Sequence, residues 1–168
     1  MHRIALGLTV CVVLFWSALF SQAPQKSSRS KQLFIRANNL GAAYMNQQKL
    51  DEAEKQFAQA VAIDKNSATA QLNLGIALLN LSKVAPAEEA LGRAAELEPK
   101  NPAPWYNLGL LHRNNGQAEQ ALTEFSKAAE LAPNDTYTHY FLGDLYSQLQ
   151  KYVDAEKEFR RASQHLFR

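Results

Sequence analysis

Residues 105–133 read WYNLGLLHRNNGQAEQALTEFSKAAELAP, and this stretch decides the fold. Shifted along the chain in steps of 34 residues, it falls on copies of itself. Leu40, Leu74, Leu108 and Leu142 form one column, and Gly41, Gly75, Gly109 and Gly143 the next. Ala53, Ala87, Ala121 and Ala155 form a third, and Ala60, Ala94, Ala128 and Ala162 a fourth. A fifth column reads Phe57, Leu91, Phe125, Phe159. Self-similarity at a fixed period of roughly 20 to 50 residues marks an architecture of stacked units.

Each unit has the same layout. A first helical pattern ends near Asn46, Asn80, Asn114 or Gln148, a short turn follows, and a second pattern runs to about Ile63, Leu97, Leu131 or Leu166. Pro99 and Pro133 stop two of the second helices, because proline cannot continue the hydrogen-bond ladder. Lys65 and Phe167 stand in their place in the outer units. Asn101-Pro102 is a start signal, a cap residue followed by a proline in the first turn, and Pro86 fits a first turn as well.

The small columns have a packing reason. Two helices approach to about 8 Å only where their side chains are small. Gly41 and Ala53 are expected where the two helices of a unit cross, and Ala60 where the second helix meets the next unit. Leu40 and Phe57 fill the space between, with Tyr44 and Tyr146 beside them. One such unit cannot bury its apolar face alone, but a stack of about three or more can.

The pattern W-x-x-L-G-x-x-Y, then A-x-x-x-F, then A and P, resembles the tetratricopeptide repeat family. The third unit carries it most fully, in Trp105, Leu108, Gly109, Ala121, Phe125, Ala128 and Pro133, and departs from it at His112, where the family has tyrosine. The resemblance implies an all-α fold: a right-handed superhelical solenoid of four helix-turn-helix repeats at 34–67, 68–101, 102–135 and 136–168. It also implies a concave groove lined by the first helix of each unit, and so a protein that binds other proteins.

On that frame the groove candidates are Asn38, Asn39, Asn73, Tyr106, Asn107, Arg113, Tyr137, Tyr140, Phe141 and Asp144. Asn39, Asn73 and Asn107 share a column, and a carboxamide offers both a donor and an acceptor to a passing peptide backbone. The row is similar to the asparagine ladder of the repeat domain in O-linked N-acetylglucosamine transferases. The alternative is that asparagine before Leu-Gly belongs to the repeat pattern with or without a ligand. The outer column, Asn46, Asn80, Asn114 and Gln148, reads as a helix-end feature. In the fourth unit Phe141 interrupts the row beside Tyr106, Tyr137 and Tyr140, either as an anchor for an apolar side chain or as packing between units. Arg113 and Asp144 are the charged groove candidates, so the groove is expected to be nearly neutral. Members that clamp the C-terminal carboxylate of chaperones use lysines and an arginine where this chain has Asn38, Ala42, Thr69, Asn73, Ala103 and Asn107. That clamp is not expected here.

The N-terminus is of another kind. Ile4 to Phe20 is an uncharged run of 17 residues, on the border between a signal peptide and a spanning helix. Pro24, directly after the small-x-small pattern Ser21-Gln22-Ala23, favours an uncleaved anchor over residues 1–23, with a cleaved signal as the alternative. Export of the repeats is expected. A cytoplasmic placement is the alternative, since Lys26, Arg29, Lys31 and Arg36 follow the run. Residues 24–33 are polar and read as a flexible linker.

Other classes fit poorly. A formal net charge of +2 gives no basic excess for nucleic acid. Cys11 is the chain's one cysteine and cannot build a disulfide or a Cys/His metal site. No HExxH, phosphate loop or nucleophile elbow appears, so no enzyme, cofactor or metal is expected. His112 and His139 fall in core columns, as packed, hydrogen-bonded residues. The last unit lacks a closing helix, which leaves Ala162, Leu166 and Phe167 expected without cover and suited to a weak homodimer. The expected function is a membrane-tethered scaffold that holds a partner polypeptide. The alternatives are a self-associating assembly subunit and an accessory subunit of an enzyme.

Overall fold

The computed structural model describes residues 23–164, with the backbone alone for 23–26. Eight helices follow one another there: α1 (Ala23–Asn46), α2 (Leu50–Ile63), α3 (Ala68–Asn80), α4 (Val84–Leu97), α5 (Pro102–Asn114), α6 (Ala118–Leu131), α7 (Thr136–Gln148) and α8 (Tyr152–Gln164). They pair as α1·α2, α3·α4, α5·α6 and α7·α8, and each second helix then packs on the first helix of the next unit. The architecture is an all-α solenoid. The first helices end at the four residues expected, and three of the second helices end at Ile63, Leu97 and Leu131.

The turns inside the units share one geometry. The N–H of Lys49 donates to the carbonyl of Tyr44 at 3.0 Å, and that of Gln48 to Met45 at 3.0 Å. Lys83, Gln117 and Lys151 repeat the longer bond to Leu78, His112 and Tyr146 at 2.8–2.9 Å. These bonds satisfy carbonyls left free at the helix end, and the geometry needs one residue in the left-handed region. Gln48, Ser82, Gly116 and Gln150 are those residues, with φ of 59°, 57°, 76° and 59°. Only Gly116 takes this conformation without a side-chain penalty. The turns between units work differently: Ser67, Asn101 and Asp135 cap α3, α5 and α7 with side-chain oxygens, at 3.2, 3.0 and 2.8 Å from their backbone donors.

The glycine column faces the aromatic column of its own unit. A Cβ on Gly109 would stand 2.8 Å from Phe125 Cδ1, one on Gly41 2.5 Å from Phe57 Cε1, and one on Gly75 2.6 Å from Leu91 Cγ. The large side chain thus occupies the space a first-helix Cβ would need. Phe125 and Leu91 are fully buried and Phe57 nearly so. Burying such a side chain contributes roughly 1.5–3 kcal/mol. The alanine columns at Ala53, Ala87, Ala121 and at Ala60, Ala94, Ala128 are at most 1% exposed. The core is a run of clusters that bridge successive units, such as Leu78, Leu91, Leu108 and Leu111, and then Phe125, Leu142 and Leu145.

Two expectations change. Residues 24–33 are not a flexible linker but the opening turns of α1. Lysine, glutamine and arginine are nearly as good helix formers as alanine, and Pro24 sits in the first turn, where proline is tolerated. Once Phe34 and Ala37 are packed against the α2–α3 side, the helix extends backwards at little cost. Ala162 is not uncovered: it is 6% exposed. Phe159, in the aromatic column, is the more open of the two, at 37%. Leu166 and Phe167 lie outside the described residues, as do residues 4–20. Among the described residues no helix is long and apolar enough to cross a membrane.

Gly109→Ala is expected to lower stability by about 1 kcal/mol or more, although alanine is the better helix former. The Phe125 ring cannot yield, because it stacks on Phe141 at 5.3 Å and meets Tyr106 at 5.7 Å. Gly92→Ala has open space around its Cβ and is expected to raise stability by about 0.5–1 kcal/mol. Urea midpoints of the two variants should therefore move in opposite directions.

Candidate partner-binding groove

First helices of neighbouring units touch one another, as α1 touches α3 and α3 touches α5. Among the described residues no two second helices make a comparable contact. The stack therefore bends with the first helices on its inner side. Their free faces line a trough.

The asparagines lie on these first helices but do not form a uniform row. Asn73 and Asn107 are half-buried, while Asn39 is exposed. Asn73 Nδ2 donates to Asn38 Oδ1 at 3.3 Å, across the boundary between the first two units. Asn107 Nδ2 donates to the carbonyl of Ala103 at 2.8 Å, one turn back in its own helix. Each carboxamide keeps one N–H and part of its oxygen for a ligand. Asn80 Nδ2 bonds the carbonyl of Ile76 at 2.8 Å, the helix-end role expected for its column.

The charges cancel. Arg113 Nη2 and Nε donate to Asp144 Oδ2 at 2.9 and 3.3 Å, and Gln148 Nε2 adds a bond to the same oxygen at 3.1 Å. The Arg113 guanidinium also lies 4.9 Å from the Phe141 ring centre. Arg113 and Asp144 thus clamp units three and four together. Phe141 belongs to this clamp, since it stacks on Phe125 and meets Tyr106 at 6.1 Å and Tyr140 at 5.7 Å. Tyr137 and Tyr140 remain open to solvent, at 67% and 51%. Burial raises the Tyr106 phenol pKa first, and the nearby Asp135 and Tyr137 add to the rise.

Two histidine sites lie behind the trough. His139 is buried, its Nδ1 2.6 Å from Glu158 Oε2 and its Nε2 2.9 Å from the carbonyl of Pro133. Arg161 Nη1 donates to the other Glu158 oxygen at 2.9 Å. This set ties α7, α8 and the preceding turn together, and Glu158 escaped the sequence reading because a helical glutamate among charges resembles a solvated face. His112 is buried as expected but not hydrogen-bonded: its Nε2 stands 3.5 Å from Glu88 Oε1, outside hydrogen-bond geometry. Glu124 Oε2 is buried nearby without a partner. Burial raises the Glu124 pKa above its usual 4.5, with His112 opposing the rise and Glu88 adding to it. Among the described residues no group of His, Cys, Asp and Glu is placed to hold a metal ion.

Stacked helix pairs around an inner trough define a helical-repeat binding protein. A family profile described as tetratricopeptide repeat matches residues 72–136 and 106–164, and one described as TPR repeat matches residues 38–82. The chain belongs to the tetratricopeptide repeat family. That fold is a scaffold for protein–protein interaction, and its members are generally non-catalytic. A crystal structure of MamA is similar, with a TM-score of 0.75 and 24% identity over 86% of this chain and 85% of that one. A MamA structure of MSR-1 gives 0.67 and 25% over 77% and 74%. The Arabidopsis OM64 TPR domain gives 0.69 and 18% over 71% and 98%. No curated protein matches the chain by sequence.

Glu124→Gln is expected to stabilise the protein near neutral pH and to leave it unchanged in acid. A carboxyl whose folded pKa is raised costs nothing below its unfolded value, near 4.5, where both states hold the proton. Stability is then lost as pH rises through the folded value, because the folded state resists ionisation. Urea midpoints of variant and parent should converge at low pH and separate as pH rises. Parallel curves would contradict this.

Proposed function

We propose that this chain is a non-catalytic scaffold that holds an extended partner polypeptide in the trough of α1, α3, α5 and α7. One observation carries the reading: the first helices are side by side on the inner face, and they present half-buried carboxamides and open tyrosines, with Arg113 and Asp144 already paired to each other. A surface of this kind bonds backbone through Asn38, Asn73 and Asn107, and it takes partner side chains against Tyr106, Tyr137 and Tyr140. The uncharged run 4–20 supports a membrane tether with the repeats exported.

A second reading, self-association through the last unit, has its own support. Phe159 is 37% exposed, whereas Phe57, Leu91 and Phe125 in the same column are at most 2%. Tyr140 lies 5.9 Å from the Phe159 ring and extends this uncovered surface.

Asn73→Ala combined with Asn107→Ala is expected to weaken partner capture by the full chain about tenfold or more, since each lost ligand hydrogen bond costs about 0.5–1.5 kcal/mol. Capture unchanged by the double substitution would place the partner elsewhere. Sedimentation of Phe159→Gln separates the second reading: a concentration-dependent dimer that disappears in the variant supports it, and a monomer in both removes it.

A further inference from the structure

A cleft of about 340 Å³ opens where α5 and α7 begin, at the edge of the trough. Pro102, Ala103 and Ala132 give it apolar walls, Tyr106 and Tyr137 stand on its rim, and Asp135 is the one charged residue that lines it. Asp135 Oδ2 accepts from the Thr138 N–H at 2.8 Å and from the Thr138 hydroxyl. Among the described residues, Oδ1 accepts no hydrogen bond and no cation pairs with this carboxylate. Thr138 is buried, so the carboxylate is held in place by a fixed partner.

The balance of charge identifies the guest. The N-terminus of α7 carries roughly half a positive charge, while the capping carboxylate carries a full negative one. The cleft is therefore net negative, walled by carbon and rimmed by phenol rings. An aliphatic stem ending in a cation matches all three features, since tyrosine rings attract cations and long basic side chains lay their stems on apolar surface. A glutamate or aspartate would meet repulsion, and a purely apolar chain would leave Asp135 desolvated without a partner.

We propose that this cleft takes a lysine or arginine side chain of the partner polypeptide, with its stem on Pro102, Ala103 and Ala132 and its cation against Asp135 and the Tyr106 and Tyr137 rings. The assignment rests on the trough reading and gives it a specificity.

The test uses the isotope-labelled full chain and four peptides of sequence acetyl-Ala-Ser-Ala-X-Ala-Ser-Ala-amide, where X is lysine, arginine, norleucine or glutamate. The lysine and arginine peptides are expected to shift the amide signals of Tyr106, Tyr137 and Thr138, and to bind roughly fivefold or more tighter than the norleucine peptide. Asp135→Asn keeps the cap, because asparagine and aspartate cap helices about equally well, and it should abolish that preference. Equal binding of the lysine and norleucine peptides, or a preference unchanged in Asp135→Asn, overturns the assignment and leaves the trough intact. Peptides that move no signal at the cleft also overturn it. The trough itself falls only on the separate Asn73 and Asn107 measurement.

Discussion

Everything in this molecule depends on one steric arrangement, a large side chain of the second helix set into the gap left by a glycine of the first. Phe57, Leu91 and Phe125 each sit within 2.5–2.9 Å of where the Cβ of Gly41, Gly75 or Gly109 would be. That contact fixes how closely the two helices of a unit approach and which residue of one faces which residue of the other. Interiors are packed like crystals, so a fixed pair presents a fixed outer surface to its neighbour. Repetition of the pair at 34 residues then repeats the surface, and the units stack.

Stacking also sorts the chemistry. The second helices supply the alanine columns that let units close on each other, and they leave the inner side to the first helices. Polar and aromatic groups on those first helices have two employers, the boundary between units and the trough. Arg113, Asp144 and Phe141 serve mostly the boundary, where the ion pair and the ring stack join units three and four. Tyr137 and Tyr140, on the first helix of the fourth unit, stay exposed. Asp135 caps α7 and also lines the cleft at the start of that helix.

The fourth unit differs from the others in how its ring is covered. Its glycine and aromatic pair, Gly143 and Phe159, has the same geometry as the others, with the ring 2.7 Å from the absent Cβ. Phe159 is nevertheless partly open, at 37%, whereas Phe57, Leu91 and Phe125 are at most 2% exposed. A polar set also holds this unit. His139, Glu158 and Arg161 bind the last helix pair to the turn before it, with every charge-bearing oxygen of Glu158 engaged.

The sequence alone determined the period, the bounds of most helices and the identity of the packed columns. Those are local properties: 3.6-residue periodicity, cap residues, prolines, and small or large side chains repeated in register. It missed the backward extension of α1 over 24–33, since polar residues that propagate a helix look the same as a linker until their neighbours are anchored. It also missed the left-handed turn residues, of which Gln48, Ser82 and Gln150 carry none of the glycine signal that Gly116 does. Only the tertiary structure decided which residues meet across units. The asparagine that bonds Asn73 is 35 residues back, not 34, and the partner of Arg113 is 31 residues ahead. Columns record equivalent places in successive units, whereas contacts form between faces that meet at an angle, and that angle is set by packing, which no single helix contains.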